Sequence, residues 1–154
     1  MASRLARGCQ CFEARVGGDL AGYGWLSSGP EWIGEIQVRL SPGPGEGYIW
    51  NCVTLPEHRR RGVFSALLRG ITGGGRAAGL TRMWIGSVAI PAEKAVRPVG
   101  FMPALHFASA TLAVCHWLRV QPALGADPAL VQAAQSVLSV RPGSSLRLSR
   151  TIRH

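Results

Sequence analysis

Lysine is almost missing from this 154-residue chain: Lys94 is the only one among 17 basic residues. Acidic residues are also scarce, at 8, and the formal net charge is +9. An excess carried by arginine reads as compositional bias more than as a shaped surface. Arg141, Arg147, Arg150 and Arg153 alone place four positive charges in the C-terminal tail. A basic surface attracts nucleic acid, acidic lipid or nucleotide phosphates alike, so charge does not choose among them. Nucleic-acid binding calls for exposed aromatics among the basic residues, and residues 141–154 contain none. No uncharged apolar run approaches the roughly 18 residues of a membrane span, and the first twenty residues hold no stretch of signal-peptide length. Cys9, Cys11, Cys52 and Cys115 fit neither a zinc spacing nor a disulfide framework. Free thiols in a reducing compartment follow, so the chain is expected to be soluble and cytoplasmic, with no metal and no membrane partner.

What is present is enough to fold. Hydrophobic residues make up 47% of the chain, with five Trp and four Phe among runs of Val, Ile and Leu. That suits one core, so a single domain over 1–140 with a basic tail over 141–154 is expected. Residues 10–16 and 20–27 read as two antiparallel strands around a turn at Gly17, Gly18 and Asp19. Residues 32–40 read as one imperfectly alternating strand, followed by a Ser, Pro and Gly loop over 41–47. The β-branched and aromatic run from Tyr48 to Leu55 is the clearest strand, closed by Pro56. The period then changes: Val63, Leu67, Leu68 and Ile71 fall at helical spacing, and that helix should end at Gly73 to Gly75 or in the turn just beyond. A strand over 81–90, a short helix over 92–99 and two strands within 102–120 come next. A last helix over 128–138 has Asp127 as its N-cap and Pro128 in its first position, and the tail is either loose or a final strand.

Between the clearest strand and its helix lie Arg59, Arg60, Arg61, Gly62, Val63, Phe64 and Ser65. A strand end feeding a helix start points several backbone N–H groups at one spot, where anions bind. Gly62 removes a Cβ where a phosphate needs close approach, the arginines add charge, and a pyrophosphate suits such a turn. A solvated, merely charged helix entrance is the plainer alternative. Residues 53–69, VTLPEHRRRGVFSALLR, resemble motif A of the GNAT acyltransferases, Arg/Gln-x-x-Gly-x-Gly/Ala, with Arg59 and Gly62 in place and Phe64 where a small residue is usual. Residues 99–103, VGFMP, resemble the Gly-Phe that closes the family's fourth helix.

The resemblance spans roughly residues 10–120. It implies an α/β acyl-CoA N-acyltransferase fold, with a mixed, mostly antiparallel sheet flanked by helices. That sheet would splay open between the strand at 48–55 and the strand at 81–90 to admit the pantetheine arm. By this analogy the backbone of Cys52, Val53 and Thr54 would pair with pantetheine, and the amides of Arg60 to Ser65 would hold the pyrophosphate. The bulky Phe64 would then stand near the cofactor. The N-terminal strand and two helices usual in the family are shortened here, so a minimal member, a homodimer or a partner subunit supplying the missing wall is expected.

Acyl transfer to an amine needs a base, a polarised carbonyl and a proton for the leaving thiolate. In this alignment the family's acid tyrosine is replaced by Val96 and its usual Asn falls near Ala89. Glu35 is the carboxylate of choice, read as mid-strand with apolar neighbours that would raise its pKa. Tyr48 and Asn51 could orient substrate, and His106 and His116 are further bases to weigh against plain surface or core roles. The expected activity is transfer of an acetyl or other acyl group from acyl-CoA to a primary amine, on a small molecule or a protein, by direct attack. A catalytically degenerate GNAT-shaped binding subunit is the first alternative, and a basic nucleic-acid-binding protein the second.

Overall fold

A computed structural model of the protein describes residues 2–87 and 94–148, which fall into two compact units. The first comprises the chain up to Pro30 and Pro42–Phe101, and the second Glu31–Ser41 and the chain from Met102 onwards.

The first unit begins with a five-residue helix α1 (Ala2–Ala6) and the hairpin of β1 (Gln10–Val16) and β2 (Asp19–Ser27). Val16 pairs with Asp19, and the two residues between them, Gly17 and Gly18, have φ of 62° and 96°. Positive φ at both central positions is what a right-twisted two-residue hairpin demands, and glycine meets it without strain. β2 then pairs antiparallel with β5 (Glu46–Thr54), and β5 pairs parallel with β6 (Arg82–Ile85). The sheet order is β1-β2-β5-β6. Parallel neighbours need a crossover, supplied here by helix α2 (Val63–Ala77).

α2 presents Val63, Leu67, Leu68, Ile71, Thr72 and Gly75 to the interior, the periodicity its sequence carries. Leu67, Leu68 and Ile71 pack with Leu26, Ile49 and Val96, and Phe12, Met83, Val99 and Phe101 close the edges of this core. Leu68 and Ile71 are fully buried, each contributing on the order of 1.5–3 kcal/mol. The helix runs through the three glycines and ends at Ala77, in the turn just beyond them as expected, and two of the glycines serve packing. A Cβ on Gly74 would lie 2.7 Å from the Phe12 ring, and one on Gly75 would lie 2.6 Å from the Met83 sulfur. Gly73 faces open space. Replacing it with alanine should therefore raise stability by about 0.5–1 kcal/mol, read as a higher urea midpoint with unchanged slope.

In the second unit the single strand expected over 32–40 is instead a hairpin of β3 (Glu31–Ile33) and β4 (Val38–Leu40). The chain reverses through Gly34, whose carbonyl accepts from Gln37 N at 3.3 Å, with Gln37 at φ 49°. A three-stranded antiparallel sheet follows, ordered β7 (Leu105–Leu112), β8 (Cys115–Pro122), β9 (Gly143–Leu148). The end of the chain thus contributes a strand through Leu148. Helix α3 (Pro128–Leu138) starts as its sequence indicates, with the Asp127 carboxylate accepting from Ala129 N at 2.9 Å. Among the described residues, no helix is long and apolar enough to cross a membrane.

Candidate functional site

β5 is the strand on which the site is built, and it is not regular. Trp25 pairs with Trp50 and Tyr23 with Val53, so Asn51 and Cys52 together oppose Gly24 alone. This is a β-bulge, and Asn51 takes φ 47° to make it. On the other edge, the pairing with β6 runs only from Glu46↔Arg82 to Ile49↔Ile85. From Trp50 to Thr54, β5 therefore has β2 on one side and, among the described residues, no strand on the other. That edge is open to an extended ligand, although two of the strand's carbonyls are met by side chains: Trp50 O by the Cys52 thiol and Thr54 O by Arg59.

The strand ends in a tight turn. Leu55 N donates to Ala21 O at 2.9 Å, the 3-10 turn Pro56–His58 follows, and Arg59 Nε donates to Thr54 O at 3.3 Å. Arg60 then takes φ 59° and Gly62 φ 77°, both left-handed. Gly62 is the N-cap of α2 and offers no side chain to its first turn. The leading N–H groups of a helix have no intrahelical partner, so those of Val63, Phe64 and Ser65 point into the space beside the loop. A Cβ built on Gly62 meets nothing within 4 Å, so that space is open. Arg59, Arg60 and Arg61 are all exposed around it. The positive end of the helix dipole, unpaired amides and three guanidinium groups favour a multiply charged anion.

The remaining sequence-selected residues are placed unevenly. Cys52 turns its side chain towards α2, where its sulfur would touch a Cβ on Gly24. Burial pushes its thiol up to about 11 against a smaller opposing effect of a hydrogen bond from the Trp25 backbone. It is protonated at neutral pH and is no nucleophile. Phe64 does not crowd the loop as its bulk suggested, because it packs partly against the α2 core. Tyr48 is buried, and its hydroxyl lies close to Gly86, where β6 parts from β5; a Cβ on Gly86 would be 3.6 Å from it. Asn51 is exposed on the bulge.

Glu35 is neither in a strand nor buried. It lies exposed in the β3–β4 turn, in the second unit, and its backbone carbonyl accepts from Ser109 Oγ at 3.0 Å. His116 is buried with both ring nitrogens engaged: Nε2 meets the carbonyl of Ile36 at 3.1 Å and Nδ1 the hydroxyl of Thr111 at 2.9 Å. It holds the second unit together and has no nitrogen for a substrate. His106 is exposed on β7.

Val96, in the place of the family's acid tyrosine, is a buried member of the core, and Ala89 lies outside the described residues. The Gly-Phe signature behaves as a structural closure: Gly100, at φ 100°, ends the 3-10 turn Arg97–Val99, and Phe101 packs on the core.

Sequence reasoning missed an aromatic pair. Trp25 and Trp50 have ring centroids 6.2 Å apart at an interplanar angle of 35°, and the Arg4 guanidinium lies 5.2 Å from one centroid and 4.5 Å from the other. Both indole nitrogens are buried without a hydrogen-bond partner among the described residues. The signal was indirect, since only the bulged register brings the two rings opposite each other.

Comparison with known proteins agrees with this layout. The sequence model of the acetyltransferase (GNAT) family matches residues 2–101, which takes in the whole β5–loop–α2 site. A search of curated proteins finds no match. Among solved structures, an acetyltransferase of Trypanosoma brucei superposes with a TM-score of 0.51 at 19% identity, covering 72% of each chain. A probable acetyltransferase superposes with a TM-score of 0.52 at 21% identity, covering 73% of each chain. At such identities the likeness is one of fold.

Proposed function

Since this chain belongs to the GNAT acetyltransferase family, we propose that it is an acyl-CoA-dependent N-acyltransferase that moves an acetyl group from acetyl-CoA to a primary amine. One observation carries the reading: the free edge of β5 past its bulge runs directly into an uncapped helix N-terminus ringed by three arginines. An acyl-CoA is an extended amide-bearing arm joined to a pyrophosphate, and those two features meet its two halves in order. The backbone of Cys52, Val53 and Thr54 would align the pantetheine amides. The amides of Arg60 to Ser65 would take the pyrophosphate, with Arg59, Arg60 and Arg61 supplying charge.

In this scheme the neutral amine attacks the thioester carbonyl, the C–S bond breaks and the amine proton is lost to water. The departing thiolate takes a proton from a nearby donor. Tyr48 is the donor we assign, because its hydroxyl lies where β6 leaves β5. Alignment of the two reactants supplies much of the rate, and the core-facing thiol of Cys52, pushed up to about 11 by burial, is unsuited to a covalent intermediate, which supports direct attack. The free cysteines favour a cytoplasmic setting.

The test is calorimetric titration of the full chain with acetyl-CoA and with CoA. Micromolar binding of both is expected, and a folded protein that binds neither sinks the reading. A second reading, a cofactor-binding subunit without turnover, draws on the burial of Val96 where the acid would stand. It predicts acetyl-CoA binding with no CoA release in the presence of any amine.

A further inference from the structure

On β2, Gly24 and Leu26 face α2, so Trp25 between them faces the other side of the sheet. Trp50, its partner in register, shares that face. The pair therefore sits directly before the bulge, on the face opposite the helix that receives the pyrophosphate. Trp25 is almost fully buried and Trp50 half-buried. The Arg4 guanidinium lies against both rings, and no carboxylate pairs with it among the described residues.

The element that delivers Arg4 is weak. α1 is five residues long, far below the length at which a helix holds itself in water, and Leu5 beside Arg4 is exposed. Arg7 N and Cys9 N both donate to Arg4 O at 3.1 Å and hold its backbone, but the guanidinium itself is held by ring faces, which makes the side chain a replaceable occupant. Two aromatic faces bind guanidinium or ammonium through their quadrupoles.

We propose that Trp25 and Trp50 form a subsite for a second cationic group on the amine acceptor, and that Arg4 holds this place until the acceptor displaces it. The inference rests on the acyltransferase reading only in calling the ligand an acceptor. An acceptor that brings a reactive amine to the thioester and a second cation to the rings is a diamine or an amino-guanidine.

The probe is agmatine, an amine and a guanidinium joined by a short alkyl chain, titrated calorimetrically without acetyl-CoA, with butylamine as the control lacking the second cation. Arg4→Gln should bind agmatine about tenfold more tightly than the unaltered chain, and adding Trp50→Leu should abolish that gain. Butylamine, whose single ammonium cannot occupy the rings and the acceptor position together, should gain less than agmatine, and an equal gain overturns the proposal. A folded Arg4→Gln variant with unchanged agmatine affinity overturns the proposal, as does a gain that survives Trp50→Leu. If Arg4→Gln fails to fold by circular dichroism, Arg4→Lys keeps a charge that stacks less well. A few-fold gain in that variant supports the proposal, and no gain assigns Arg4 a structural role and overturns it. Acetyl-CoA titrated into the same proteins reports on the cofactor site separately, so failure of either reading leaves the other measurable.

Discussion

Gly62→Glu should reduce acetyl-CoA affinity more than a hundredfold while leaving the protein folded. The new carboxylate would enter space that no protein atom occupies, at the N-terminus of α2, where a negative charge is favourable to the helix itself. The same charge opposes a pyrophosphate at that place. One like-charge pair about 5 Å apart at an effective dielectric near 20 costs about 3 kcal/mol, or more than two decades in affinity. Any side chain at this position also meets a left-handed backbone, at φ 77°, a strain of about 1–2 kcal/mol. Gly62→Asn carries the steric change with least strain and no charge, and should keep binding within about tenfold. Calorimetry on both variants separates the causes. Equal losses would trace the effect to the backbone, and undiminished binding by Gly62→Glu would remove the pyrophosphate from this loop.

The loop was legible in the sequence because its determinants are local. A β-branched strand, a proline, an arginine run, Gly62 and an apolar period of 3.6 all sit within residues 48–71. The Gly17–Gly18 turn and the Asp127 cap were legible for the same reason. Each is fixed by residues a few positions apart, through φ preferences or a side chain reaching its own helix.

What was hidden depends on pairing at a distance. Glu35 looked like the middle of a strand, because residues 32–40 alternate; the alternation belongs to two three-residue strands folded back on each other. Nothing local announces the positive φ of Gln37 that turns the chain. The bulge at Asn51 was equally silent, since residues 48–55 read as one uninterrupted β run. The bulge decides which face each side chain takes beyond Trp50, and so sends Cys52 into the core and sets Trp50 against Trp25. Phe64 looked intrusive for a related reason. The family pattern constrains the residue type, whereas its direction is set by how α2 rolls on the sheet, and here the ring turns towards the core.

Gly22→Ala should join the packing of the bulged strand to its ligand affinity. Gly22 pairs with Thr54, and a Cβ there would lie 2.6 Å from the carbonyl oxygen of Val53, a backbone atom that no rotamer change can move. The strand itself must give way, and overpacking of this kind costs about 1–3 kcal/mol. The displaced atoms belong to Val53 and Thr54, the edge assigned to pantetheine, so acetyl-CoA affinity should fall at least about tenfold along with the urea midpoint. Gly24→Ala provides the contrast on the other side of the bulge. Its Cβ would press on the Cys52 sulfur and the Ile71 Cδ1, both at 2.8 Å and both side-chain atoms facing α2. It should cost comparable stability with a smaller change in affinity, because its strain falls on the core. If Gly22→Ala lost stability yet bound acetyl-CoA as before, the outward edge of Val53–Thr54 would not be where the cofactor lies.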